Sequence, residues 1–227
     1  KSVKNISANT QVHYYKVFHH CLNSAVIDEI ITSNPMDKIK NEEKPKRRRT
    51  ERAFLTIDEL KILSQTDFHN ATLKKAFLFS CFCGLRHSDI VALTWGNLKK
   101  GKVGKMELHM TQQKTQEILS LPLSKEALKQ LPVRGKVPDT EKVFKGLISL
   151  GRTNEILPKW AAKAGIQKHI TFHSARHTHA TMMITLGADL YTVSKLLGHT
   201  NIQTTQIYAK IVDESKEKAI DLIPDIT

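Results

Sequence analysis

Cysteine is scarce: the 227-residue chain has three, Cys21, Cys81 and Cys83. An odd, sparse set excludes a disulfide framework. Cys81 and Cys83 sit in an apolar run and read as core thiols of a reducing compartment. No apolar run approaches the ~20 residues that a membrane helix needs, and no signal peptide is expected. Internal repeats and low-complexity tracts are also missing. Acidic residues are in short supply, with 22 Asp and Glu against 35 Lys and Arg and a net charge of +13. That imbalance favours a polyanionic partner, most often nucleic acid.

What is present is enough to fold. Apolar residues make up 40% of the chain, sufficient for one large domain or a small one plus a medium one. The chain starts at Lys1 rather than Met, which suggests a piece of something longer. Residues 1–40 read as two helices. Ser7 offers an N-cap, Val12, Tyr15, Phe18, His19 and Leu22 recur at helical spacing, and Asn34-Pro35 ends the run. Residues 41–53 have no periodic apolar pattern. There Lys44, Lys46, Arg47, Arg48, Arg49 and Arg52 concentrate positive charge, and the segment reads as a basic linker able to track phosphates.

A second domain, 54–227, opens on a Thr56–Glu59 capping box with Leu55 stapling onto Leu60. A helix through Leu73, Phe77, Phe79 and Phe82 is apolar almost all round, so it should be the central buried one, ended by Gly84. Period-two patterning then predicts a hairpin or small antiparallel sheet, Met106-Leu108-Met110 against Ile118-Leu119-Leu121, with Lys114 in the polar turn. Ser124 and Thr153 read as caps of two further helices, with a short strand near Val143-Phe144 between them. Ser174 to Leu186 and the stretch from Asp189 to Gly198 read as helices, and Thr200–Gln203 as a capping box before Tyr208. A last amphipathic helix carries Ile211, Val212, Ala219, Ile220, Leu222 and Ile223. The fold class is therefore mainly α with a small antiparallel β-sheet (α+β).

Phosphate-friendly residues collect at the predicted helix ends. Arg86 follows a C-cap with Asp89 able to brace it, His173 and Arg176 flank a helix start, and His199 follows another C-cap. Arginine and histidine at fixed, solvent-accessible positions suit the non-bridging oxygens of a phosphodiester and the charge of its transition state. A tyrosine is a poor nucleophile at its normal pKa near 10, and a cationic pocket would lower that cost. A lysine on a hairpin can protonate a leaving oxygen. His173, His177 and His179 also hint at metal, but His179 leaves the face that the other two share, and no carboxylate or cysteine joins them, so no metal is expected.

In this ordered set the chain resembles the tyrosine recombinases of the phage integrase family. Gly84-Leu85-Arg86 is similar to the family's first arginine box, Lys114 to its hairpin lysine, and His173-x-x-Arg176 to its second box. Leu197-Gly198-His199 is similar to its third box, and Tyr208 to its nucleophile. The likeness runs from about Phe54 to the end, and residues 1–40 resemble the last helices of the family's core-binding domain. It implies a site-specific recombinase, an integrase of mobile elements, with Arg86, Lys114, His173, Arg176, His199 and Tyr208 catalytic and Asp89 in support. It further implies a 3′-phosphotyrosyl intermediate, a Holliday junction and no cofactor. The partners would be double-stranded DNA, a homo-tetramer joined through the C-terminal helix, and accessory DNA-bending proteins, in a cytoplasmic, nucleoid-associated bacterial setting. The same residues also allow a type IB topoisomerase-like nicking and resealing enzyme. A non-catalytic DNA-binding regulator on that scaffold is the alternative outside enzymology.

Overall fold

The computed structural model describes residues 6–48, 52–101 and 104–208. The chain divides into two compact units, Lys1–Glu51 and Arg52–Thr227.

In the first unit one long helix, α1 (Ala8–Ile27), replaces the two expected. Ser7 caps it by accepting from the Thr10 N–H. It stops at Ile27 rather than Asn34, because Glu29 takes the left-handed conformation at φ 58°. The Ile30 N–H closes onto Ala25 C=O at 2.9 Å and the Glu29 N–H onto Val26 C=O at 3.1 Å. This closure is usually made by glycine, so the residue types gave no warning of it. Asn34 instead caps a 3₁₀ turn, Pro35–Lys38. Its amide donates to His19 C=O and Asn23 Oδ1, folding the turn onto α1. Asn9 grips the backbone of Arg48 through two 3.0 Å bonds, so this part of the basic segment is fixed to the start of α1.

The second unit opens with α2 (Ile57–Gln65) on the complete Thr56–Glu59 capping box. The central helix α3 (Ala71–Cys83) buries Leu73, Phe77, Phe79, Cys81 and Cys83 and ends on Gly84 at φ 71°. After α4 (His87–Ala92) come β1 (Leu98–Lys100), β2 (Met106–Thr111) and β3 (Ile118–Pro122), an antiparallel sheet in the order β1-β2-β3. Leu108 pairs with Leu121 and Met110 with Leu119, and all four are buried, as period-two alternation demands. Ser124 caps α5 (Lys125–Lys129). The strand expected near Val143 is a single bridge, Thr94 to Lys142.

Three further helices position the remaining site residues, which lie on the second of them or just after the third. Ser149, not Thr153, caps α6 (Leu150–Lys163), and Thr153 turns inward, fully buried. Helix α7 (Phe172–Thr185) starts before Ser174 and takes His173 into its first turn, so His173 does not precede the helix. Asp189 caps α8 (Leu190–Leu197), which ends on Gly198 at φ 63°. Two 3₁₀ turns follow, Ile202–Thr204 and Gln206–Tyr208, and Asn201 rather than Thr200 caps the first. The amphipathic helix expected after Tyr208 lies outside the described residues.

Aromatic packing sets the relation between these helices. Trp160 stacks on Phe68 with centroids 4.6 Å apart, and Phe77 meets both Trp160 and Phe172 edge-on. Burying one such side chain contributes about 1.5–3 kcal/mol. The cluster locks the start of α7 against α3, and thereby His173 and Arg176 against the loop that carries Arg86.

Candidate active site

Helix ends supply carbonyl groups with no partner inside the helix. Two such ends meet here, those of α3 and α8. Arg176 reaches both, donating from Nη1 to Gly84 C=O at 2.8 Å and from Nη2 to Leu197 C=O at 2.7 Å. A cation is favoured at these negative dipole ends. Arg176 is almost fully buried. Burial, with the neighbouring charge of Arg86, pulls its pKa down to about 10, which leaves it charged at neutral pH.

Arg86 approaches from the N-terminus of α4. Its Nη1 donates to Gln112 Oε1 at 3.0 Å and lies 3.8 Å from Asp89 Oδ2. Asp89 is fully buried and ties two backbones together. Its Oδ2 accepts from the Arg86 N–H at 3.2 Å and its Oδ1 from the Gln113 N–H at 2.8 Å. Lys114 is exposed on the turn that follows, close enough for its charge to act on His173.

His173, His177 and Tyr208 line the other side. The rings of His173 and His177, one helical turn apart on α7, meet edge-on with centroids 4.6 Å apart. His177 Nδ1 and the Tyr208 hydroxyl share a hydrogen bond of 2.6 Å, in which either can be the donor. His199 Nδ1 bonds Thr205 Oγ1 at 2.8 Å, and the Tyr208 N–H donates to Thr205 C=O at 3.0 Å. Thr205 thus links histidine and tyrosine through one buried residue.

The charges in this cluster lean one way. Desolvation comes first, followed by Arg176, Arg52, Arg86 and Lys114, in lowering His173 to about 4. Desolvation, Arg176 and Arg86 lower His199 to about 4, and desolvation, His173 and Arg52 bring His177 to about 3. All three are neutral at pH 7. Tyr208 moves against the simple expectation of a cationic pocket. Burial raises it to about 12 and outweighs the lowering by Arg176 and Arg52. Arg52 acts here because the strap it begins lies on α7, where the Leu55 N–H donates to Thr178 Oγ1 at 2.9 Å.

The structure therefore brings Arg86, Asp89, His173, Arg176, His199 and Tyr208 together, with Lys114 and Arg52 within electrostatic reach. Lys44, Lys46, Arg47 and Arg48 belong to the first unit, and Arg49 lies outside the described residues. Two contributors, Gln112 and Thr205, carried no recognisable signal, and the His177–Tyr208 bond carried little. Only His177 left a trace, through its i, i+4 relation to His173. No cluster of three or more metal-ligating side chains occurs among the described residues, and no helix among them is long and apolar enough to cross a membrane.

The fold is that of the tyrosine-type site-specific recombinases, the class that the chain's relatives show. The family model described as the phage integrase family matches residues 53–215, and the chain belongs to that family. A tyrosine recombinase of Pseudothermotoga lettingae is 30% identical over 199 residues, covering 86% of this chain and 68% of its own length. Tyrosine recombinase XerC of Caldanaerobacter subterraneus subsp. tengcongensis is 30% identical over 207 residues, where this chain spans 57% of the relative. Among solved structures, a lambda integrase dimer bound to a COC′ core site superposes with a TM-score of 0.69 at 20% identity, over 87% of this chain and 74% of that one. The Tn1549 transposon integrase bound to circular intermediate DNA gives a TM-score of 0.68 at 18% identity, over 90% and 76%.

Proposed function

We propose that the chain cuts and rejoins duplex DNA at a specific site through a 3′-phosphotyrosyl intermediate. Tyr208 Oη attacks the scissile phosphorus while the P–O5′ bond breaks. The phenol proton passes to His173, and the leaving 5′ oxygen takes a proton from Lys114. Arg86, Arg176 and His199 hold the non-bridging oxygens and oppose the charge that builds on them. A 5′ hydroxyl of the partner strand then attacks the phosphotyrosine, and the proton transfers run in reverse. Two such rounds pass through a Holliday junction, with four protomers on the DNA. The bond energy stays in the ester, so the reaction uses neither a metal nor a nucleotide cofactor.

One observation carries this reading. Arg86, Arg176, His173, His199 and Tyr208 converge from separate segments onto one cationic spot. The lowered histidine values fit a site waiting for an anion. A phosphodiester entering among these cations offsets their field and raises His173, improving it as the acceptor of the tyrosine proton. Exposed Lys46, Arg47, Arg48 and Arg52, with Lys44 and Arg49, supply phosphate contacts along the flanking duplex.

The test is a nicked suicide substrate that loses its 5′ fragment on cleavage. Incubation should leave a covalent protein–DNA adduct on a denaturing gel, mapping to Tyr208 and absent in Tyr208→Phe. Adduct formation by Tyr208→Phe, or its abolition by EDTA in the native protein, refutes the mechanism. Relaxation of supercoiled DNA without recombinant product would point to nicking and resealing instead.

A further inference from the structure

Gln112 lies two residues before Lys114, and its side chain is fully buried. Its Oε1 accepts from Arg86 Nη1 at 3.0 Å and from Thr115 Oγ1 at 2.9 Å, while its Nε2 donates to Leu197 C=O at 3.1 Å. That carbonyl is the same one that Arg176 binds at 2.7 Å. One amide therefore touches one arginine directly, the other through a shared acceptor, and the turn that carries Lys114. Its backbone also closes the turn, with the Gln112 N–H on Glu117 C=O at 2.8 Å and the Gln116 N–H on Gln112 C=O at 2.9 Å.

The neighbour across the contact is fitted to this amide. A Cβ at Gly198 would stand 2.8 Å from Gln112 Nε2 and 2.9 Å from its Oε1. Gln112 and the end of α8 thus occupy complementary space. Asp89 adds a second tie to the same turn through the Gln113 N–H. A hairpin tip is otherwise free to move, since nothing in its own sheet fixes it toward the arginines.

We infer that Gln112 is a positioning residue that sets the Lys114 hairpin against Arg86 and the α8 end, so that the proton donor and the phosphate-binding arginines form one unit. This rests on the reading of Lys114 as the acid for the leaving 5′ oxygen. A water-exposed lysine on an untethered turn would spend little time at the leaving oxygen, and positioning of that kind governs how much rate a general acid supplies.

The experiment compares suicide cleavage of two otherwise identical DNA substrates, one with an ordinary scissile phosphodiester and one with a 5′-bridging phosphorothiolate. A thiolate leaves without a proton, so the second substrate does not need the acid. Gln112→Met should slow the ordinary substrate by about 100-fold, within the range that a positioned acid contributes. On the phosphorothiolate the loss should shrink to about tenfold or less. Equal losses on both substrates would show that Gln112 supports the fold or the arginines only, and no loss on either would remove it from the mechanism. Gln112→Glu keeps the shape and the acceptors for Arg86 and Thr115, but turns the donor to Leu197 C=O into an acceptor and adds a negative charge beside Arg86; the same ratio of losses on the two substrates is read from it if the methionine variant does not fold. Lys114→Met on the same pair separates the two hypotheses. Without thiolate rescue of Lys114→Met the acid assignment fails, whereas rescue of Lys114→Met alongside equal losses in Gln112→Met sinks only the positioning role.

Discussion

His179 packs against Gly84, and its buried Nδ1 has no hydrogen-bond partner among the described residues. Burial, followed by the positive charge of Arg176, lowers its pKa to about 4, against a smaller opposing influence of the Cys81 backbone. In the unfolded chain the same group titrates near 6.5. Between those values the unfolded state binds a proton that the folded state refuses. Stability is therefore full above about pH 6.5 and is lost as pH falls toward 4. For this buried ring the loss is about 3 kcal/mol. His177, with a pKa of about 3, pulls in the same direction. Urea unfolding between pH 7.5 and 4.5 should show a shallower pH slope in His179→Gln than in the native protein, and equal slopes would exonerate His179. Tyr208 shows the same physics at the nucleophile. Its hydroxyl lies against neutral His177, with its pKa raised to about 12, so the DNA-free chain keeps the phenol protonated.

At the scale of elements, the site is built where helices stop. Gly84 at φ 71° and Gly198 at φ 63° terminate α3 and α8, and their neighbours leave no room for a side chain. A Cβ at Gly84 would sit 2.8 Å from Leu197 Cδ2 and 2.9 Å from His179 Cδ2. Left-handed backbone costs a non-glycine residue about 1–2 kcal/mol before any clash. Gly84→Ala and Gly198→Ala should each lower the unfolding free energy by about 2–4 kcal/mol. Gly198→Ala should also slow cleavage more than its stability loss accounts for, because it presses on Gln112. A thermal melt paired with the adduct assay checks both. These two glycines were readable in the sequence, as were the Thr56 box, the Ser124 and Asp189 caps and the alternation in β2 and β3, because each rests on residues close in the chain. The end of α1 was not readable, since Glu29 does a glycine's work. Thr153 offered a cap hydroxyl as good as that of Ser149, and only burial against the core separates them. Gln112 was invisible for a related reason: its partners Arg86 and Leu197 become its neighbours only once the helices and the hairpin have packed. Thr205 lies close to His199 in the chain, but a threonine in a polar stretch does not announce which group its hydroxyl will meet.

For the molecule as a whole, the net charge of +13 predicts that DNA binding is dominated by counterion release. Each phosphate neutralised on duplex DNA contributes about 0.9 to the slope of log affinity against log salt. Replacing Lys46, Arg47 and Arg48 together by glutamine should flatten that slope by roughly 0.9 for each contact removed, equally on specific and non-specific duplexes. Asn9 separates charge from order. Its two bonds to the Arg48 backbone fix part of the basic segment before any DNA arrives. Asn9→Ala removes no charge, so the slope should stay unchanged. The freed segment must then be ordered on binding, at about 1–2 kcal/mol per residue fixed. Affinity should consequently fall about tenfold at every salt concentration, giving a parallel line below that of the native protein. Fluorescence anisotropy on a labelled duplex across a salt series reads both quantities. A slope that changes in Asn9→Ala, or parallel lines in the triple glutamine variant, would mean that the basic segment does not contact phosphates from a pre-ordered base.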